Sequence, residues 1–88
     1  MGAKVELVES PDSGHPAHRE MWMRVLSDEI LDLPSAMKAL TPAQTEKLDD
    51  FYLQPCAYHP NLGSSSEERE GYAYEEWWAF PVKGWRNP

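Results

Sequence analysis

Residues 71–85 have the sequence GYAYEEWWAFPVKGW and contain six of the ten aromatic side chains in the chain. Two adjacent carboxylates, Glu75 and Glu76, lie in the middle of this apolar stretch. Aromatic side chains carry the largest hydrophobic area per residue, so a chain of 88 residues must either bury them or present them to a partner. Both the fold and the function therefore depend on the conformation of this stretch.

Two conformations suit residues 72–82. In a strand, alternate side chains share one face, and that face is apolar apart from Glu76. In a helix, Trp77 and Trp78 would share a broad face with Tyr74. The aromatic and β-branched content and the flanking glycines favour the strand, which we predict for the whole range.

A strand places Trp77 and Trp78 on opposite faces of a sheet. We predict that Trp78 is buried among neighbouring aromatic side chains and that Trp77 points outward beside Glu75. Residues 4–8, KVELV, alternate in polarity and form a second predicted strand. An antiparallel pair of this strand with residues 72–82 would be marginal without a covering layer.

Helical patterns supply that layer. Apolar residues recur at helical spacing over residues 16–33, and a shorter helix is predicted over residues 35–40. A third predicted helix covers residues 42–53, preceded by a capping box formed by Thr41 and Gln44. The predicted fold class is therefore α+β, with two or three helices packed on a small antiparallel sheet.

The length is typical of a single small domain, which we place at residues 1–88. Within it, residues 60–71 contain three consecutive serines followed by charged residues, and we predict a flexible acidic loop that can hold one helical turn. No apolar run approaches the roughly 18 residues of a membrane span, and the first residues lack the apolar stretch of a secretory signal. A single cysteine is typical of a reducing compartment. We therefore expect a cytoplasmic protein.

Acidic residues outnumber basic residues by fifteen to eight, which gives a formal net charge of −7. Such a surface repels phosphate backbones and anionic lipids, so direct binding to nucleic acid or to a membrane is disfavoured. The same surface would be attracted to a basic groove, including one that normally holds nucleic acid. Acidity that serves solubility alone is the alternative explanation.

The three histidines and the only cysteine form two closely spaced pairs, His15 with His18 and Cys56 with His59. Tetrahedral zinc takes thiolate and imidazole ligands, and two such pairs from distant segments can stabilise a small domain. These four residues are therefore a candidate zinc site. Exposed histidines and a small buried cysteine are the alternative, and no other cofactor is indicated.

Motifs for catalysis are lacking in the sequence. No family signature surrounds Cys56, and the serines at 64–66 are not in a nucleophile elbow. The glycines are isolated, so there is no phosphate-binding loop. The adjacent acids Glu75 and Glu76 are expected to be solvated and not to face each other across a cleft. We expect a binding protein and not an enzyme.

A partly exposed, charge-rimmed aromatic stretch has the composition of a binding hot spot. The leading prediction is a small acidic protein that inhibits or modulates a partner with a basic, nucleic-acid-binding surface. In size and charge alone, the chain resembles phage counter-defence inhibitors, anti-CRISPR proteins included. An accessory subunit of a larger protein assembly and a zinc-stapled interaction module are the alternatives. The predicted partner-binding residues are aromatic or acidic: Trp77, Trp85, Glu75, Glu76, Asp49, Asp50, Glu67, Glu68 and Glu70.

Overall fold

The computed structural model describes residues 3–10, 19–61 and 63–83, which form a four-stranded antiparallel sheet with short helices on one face. The strands are β1 (Lys4–Ser10), β2 (Glu20–Ser27), β3 (Ala57–Pro60) and β4 (Tyr74–Pro81). The helices are α1 (Leu33–Met37) and α2 (Pro42–Lys47), and a 3-10 turn over Leu48–Asp50 follows α2. The predicted α+β class and the antiparallel sheet are confirmed.

The last of the described strands, β4, lies inside the sheet and not at its edge. The strand order is β1-β2-β4-β3, and every neighbouring pair is antiparallel. In β2, Met23 lies opposite Leu7 of β1 on one side and opposite Trp78 of β4 on the other. The predicted direct pairing of residues 4–8 with residues 72–82 is therefore wrong, because β2 separates them.

Residues 20–27 form β2, which corrects the helix predicted over residues 16–33. The first residues of that predicted helix lie outside the described residues. Met23 and Val25 are buried on one face of β2, and Leu26 is buried on the other. Because Leu26 is covered on the second face as well, apolar side chains occur at consecutive positions and imitate helical spacing.

The first helix, α1, begins at Leu33, where the sequence pattern predicts that a helix over residues 16–33 ends. Asp32 is the N-cap of α1, since its side chain accepts a hydrogen bond from the Ser35 amide at 2.9 Å. Pro34 lies in the first turn, where a missing N–H costs little. The helix predicted over residues 35–40 therefore starts and ends earlier, at Leu33–Met37.

The second helix confirms the predicted capping box. Thr41 Oγ1 accepts from the Gln44 amide at 3.2 Å, and Gln44 Oε1 accepts from the Thr41 amide at 2.9 Å. The helix ends at Lys47 and not near residue 53, because the chain tightens into the 3-10 turn and then becomes extended at Phe51. None of the helices in the described part of the chain is long and apolar enough to cross a membrane.

One face of the sheet, here called the core face, packs against the helical layer. Its buried residues are Val5, Met21, Met23, Val25 and Phe80 from the strands, covered by Ala36, Leu48, Phe51 and Val82. The opposite side, here called the open face, has no described helix on it. Trp77 and Trp78 point to opposite faces as predicted, with Trp78 against the core. Trp78, predicted to be buried, packs against the core and is itself half-buried.

Two leucines that are close in sequence test which residues belong to the core. Leu48 is 1% exposed in the core, whereas Leu53 is 57% exposed. We expect Leu48→Ala to lower the free energy of unfolding by about 3 kcal/mol, because the substitution removes buried apolar contacts and leaves a cavity. Leu53→Ala is the matched control and should change it by less than about 0.5 kcal/mol. Urea denaturation of both variants checks this, and equal losses would contradict the placement of the core.

Candidate functional site

Three aromatic rings from three different strands meet on the open face. Trp22 of β2 and His59 of β3 are stacked, with their ring centroids 5.8 Å apart and their planes inclined by 24°. Trp77 of β4 meets Trp22 edge to face at 6.2 Å. Both tryptophans are half-buried and His59 is exposed. We call Trp22, His59 and Trp77 the aromatic patch.

A small residue beneath the patch makes the stack possible. β2 and β3 are separated by β4, so their backbones lie about 10 Å apart, and the Trp22 ring must extend over β4 to reach His59. Ala79 lies opposite Trp22 in the register and is completely buried. A methyl group at this position leaves room for an indole ring above it.

Ala79→Leu tests this role. A leucine at this buried position should displace the Trp22 ring from His59 and cost about 1–3 kcal/mol through overpacking. Near-ultraviolet circular dichroism, which reports on the packing of aromatic rings, should lose most of its intensity. The matched control is Ala73→Leu at an exposed position, which should leave the spectrum unchanged. An unchanged spectrum for Ala79→Leu would contradict the proposed stacking geometry.

Arg24 fixes one side of the aromatic patch. Its guanidinium carbon lies 6.0 Å from the centroid of the Trp77 ring. The same group donates to the buried carboxylate of Glu75 and lies 3.3 Å from Glu6 and 3.4 Å from Glu70. Partial burial acts against the charge, but these carboxylates hold the pKa of Arg24 above its usual value.

Glu75 is only 3% exposed, and the prediction that it is solvated is wrong. Its carboxylate accepts hydrogen bonds from Arg24 and from the side-chain amide of Asn61. A buried carboxylate needs such a cation and hydrogen-bond donors. Glu75 therefore belongs to the support of the patch and not to its contact surface.

A turn with an acidic sequence, residues 63–73, crosses the end of the open face; we call it the acidic strap. Ser65 Oγ accepts from the Glu68 amide at 3.2 Å, and the Gly71 amide returns to the Ser66 carbonyl at 2.8 Å. This turn corresponds to the helical turn predicted within residues 60–71. Glu70 and Gly71 both have positive φ, 54° and 87°, which reverses the chain toward β4.

Two cations of the sheet hold the strap in place. Lys4 Nζ donates to Glu70, and this hydrogen bond raises the pKa of Lys4 and lowers the pKa of Glu70. Arg24 also donates to the backbone carbonyl of Glu68. The strap therefore presents Glu67 and Glu68 at the surface beside the patch.

Glu76 is buried on the core face at 2% exposure, so the prediction that it is solvated is also wrong. Its carboxylate accepts from the Leu31 amide at 3.0 Å and from the Tyr58 hydroxyl at 2.7 Å. The hydrogen bond to Glu76 and partial burial together raise the pKa of Tyr58 to about 12. Glu76 thus connects β4 to β3 and to the segment before α1.

The Tyr58 phenol provides a pH test of this contact. It should titrate near 12, later than an ordinary phenol at 10.0. Since the folded state keeps a proton that the unfolded state releases, stability should fall as the pH rises through this window. In Glu76→Gln the late titration should move toward 10, and in Tyr58→Phe it should be absent. Ultraviolet absorbance of the phenolate measures all three proteins, and a wild-type spectrum without a late-titrating phenol would contradict the contact.

The predicted partner-binding residues do not lie on one surface. Glu68 and Glu70 contact Arg24, which lies over Trp77 on the open face, and Glu67 precedes them in the same strap. The exposed Asp49 and Asp50 belong to the 3-10 turn, whose Leu48 packs on the core face. The two acidic clusters therefore lie on opposite sides of the sheet. Trp85 lies outside the described residues.

The candidate zinc residues are placed only in part. Cys56 is exposed, with its Sγ 3.5 Å from Glu20 Oε2, and partial burial and this carboxylate raise the pKa of the thiol. A raised pKa disfavours the thiolate form that binds metal or attacks an electrophile. His59 lies in the aromatic patch, whereas His15 and His18 are outside the described residues. Among the residues that the structure does describe, no group of three or more metal-ligating side chains occurs.

Sequence analysis missed three residues of the site. Trp22 and Arg24 fall within the helix predicted over residues 16–33, although the alternation of residues 21–25 also fits a strand. His59 was considered only as a metal ligand. Comparison with known proteins adds nothing to this geometry, since no family model, curated protein or solved structure matches the chain.

Proposed function

We propose that this chain is a small acidic protein-binding module that inhibits or modulates a partner with a basic, nucleic-acid-binding surface. The observation that carries the proposal is the aromatic patch, which lies on a sheet face without a described helix and beside an acidic strap. Tryptophan side chains at the centre of an interface supply a large share of binding energy. Val8, 48% exposed and opposite Trp22 in β1, extends the apolar surface.

The patch is held in position before any partner arrives. Trp77 is fixed between Arg24 and Trp22, and Trp22 is fixed by His59. Rings that are already ordered lose little conformational entropy on binding, so more of the contact energy remains as affinity. This rigidity supports a role in recognition.

The charge around the patch supports a basic partner. Lys4 of β1 and Arg24 of β2 are already paired with carboxylates, and Arg69 of the strap donates to the carbonyls of Ser64 and Tyr72. Exposed acids, Glu67 and Glu68 on the strap, remain available to a partner. Together with the net charge of −7, they would accelerate association with a basic surface and repel nucleic acid itself.

An accessory subunit in a larger assembly is the second candidate. Ile30 and Leu53 are 61% and 57% exposed, and neither belongs to the patch. Apolar side chains exposed on a monomer become buried when subunits assemble. In that case partner binding would depend on these residues and not on Trp77.

Affinity capture of the partner from a lysate, followed by quantitative binding, tests the two candidates. Trp77→Ala should weaken binding by about 2–4 kcal/mol, or more than thirtyfold, because the substitution removes a central aromatic anchor. Leu53→Ala is the control and should bind normally. The opposite pattern would reject the aromatic patch in favour of the accessory subunit.

A matched pair of charge-reversal variants tests how much charge contributes to partner binding. Reversing Glu67 and Glu68 to lysine should slow association and reduce its salt dependence. Reversing Asp49 and Asp50 changes the net charge equally on the other side of the sheet and should have a smaller effect. Stopped-flow kinetics at several salt concentrations measure both, and equal effects would mean that binding senses only net charge.

A further inference from the structure

A glutamate two residues before a tryptophan occurs on both central strands. Glu75 and Trp77 form this pair on β4, and Glu20 and Trp22 form it on β2. Residues two apart in a strand point to the same face, and both pairs point to the open face. Each central strand therefore places a carboxylate and an indole ring two residues apart on the open face.

The β4 pair already binds a guanidinium group. The Nε of Arg24 donates to the Glu75 carboxylate while its guanidinium carbon lies 6.0 Å from the Trp77 ring. A guanidinium is suited to this arrangement, because its planar face stacks on an aromatic ring while its edge donates to a carboxylate. The contact of Arg24 with Glu75 and Trp77 shows that this pair of side chains accepts a guanidinium group.

The β2 pair has no such cation among the described residues. Among the described residues, the Glu20 carboxylate accepts from the Cys56 thiol at 3.5 Å. A thiol is a weak hydrogen-bond donor. Arg19, which directly precedes Glu20, donates to Glu9 and lies over the Phe51 ring on the core face. Arg24, four residues further along, is committed to Glu75, Glu6 and Glu70. Trp22 remains partly exposed.

We propose that Glu20 and Trp22 bind an arginine side chain of the protein partner, repeating the contact that Arg24 makes with Glu75 and Trp77. The inference rests on the proposed function, since a basic partner must supply the arginine. Charge complementarity selects the occupant: a guanidinium is the group that both a carboxylate and an indole face attract. Lysine binds less well here because its ammonium is more strongly hydrated and cannot stack.

The probe is the peptide acetyl-Gly-Arg-Gly-amide, titrated into the full chain and followed by the indole N–H resonances in NMR. The Trp22 resonance should shift more than that of Trp77, whose cation site is filled. The lysine peptide should bind more weakly, and the neutral citrulline peptide should not bind. Glu20→Gln should weaken arginine binding about three- to fivefold, as expected for an exposed ion pair.

Glu46→Gln is the matched control, because it removes the same charge from an exposed position of α2. Equal weakening by Glu20→Gln and Glu46→Gln, or equal binding of the arginine and lysine peptides, would overturn the proposal. If the peptide fails while partner capture still depends on Trp77, only this inference fails. If the peptide binds at Trp22 but capture is insensitive to Trp77, the proposed function fails instead.

Discussion

Two neighbouring carboxylates buried on opposite faces of β4 constrain most of this small structure. Glu75 requires a cation and obtains Arg24 from β2, and Arg24 in turn holds the acidic strap. Glu76 requires hydrogen-bond donors and obtains the Leu31 amide and the Tyr58 hydroxyl. An unsatisfied buried charge is costly. These two carboxylates therefore hold four segments in place: β2, the strap, the segment before α1 and β3.

The two faces of the sheet consequently have different roles. On the core face, helices and strands exclude water around Met23 and Phe80, and this burial stabilises the domain. On the open face, side chains pack on one another across strands without a helix above them, so aromatic area remains accessible. The same pleat that buries Trp78 against the core directs Trp77 into the patch. The proposed binding surface and the core that stabilises the domain thus lie on opposite faces of one sheet.

Contacts between residues close in the sequence could be predicted, whereas contacts between distant segments could not. The capping box of Thr41 and Gln44 involves neighbours in the chain, and its prediction is confirmed. The strand over β4 was favoured by composition. The sequence does not predict β2 because the burial of its side chains depends on the helical layer, on the neighbouring strands and on the strap, which its own residues do not reveal. The sequence predicts solvated Glu75 and Glu76 for the same reason. The contact between Trp22 and His59 joins residues far apart in the chain, and no pattern near either residue predicts it.

The interior position of β4 also determines the order of events during biosynthesis. β1 and β2 are available early, but one edge of β2 has no partner until residues 74–81 have left the ribosome. β3 likewise has no neighbour before β4 arrives. Closing such a sheet requires contacts between residues far apart in sequence, which slows folding and leaves apolar strand edges exposed in the meantime. The sheet of the described residues is therefore complete only once residues 74–81 have paired with both β2 and β3.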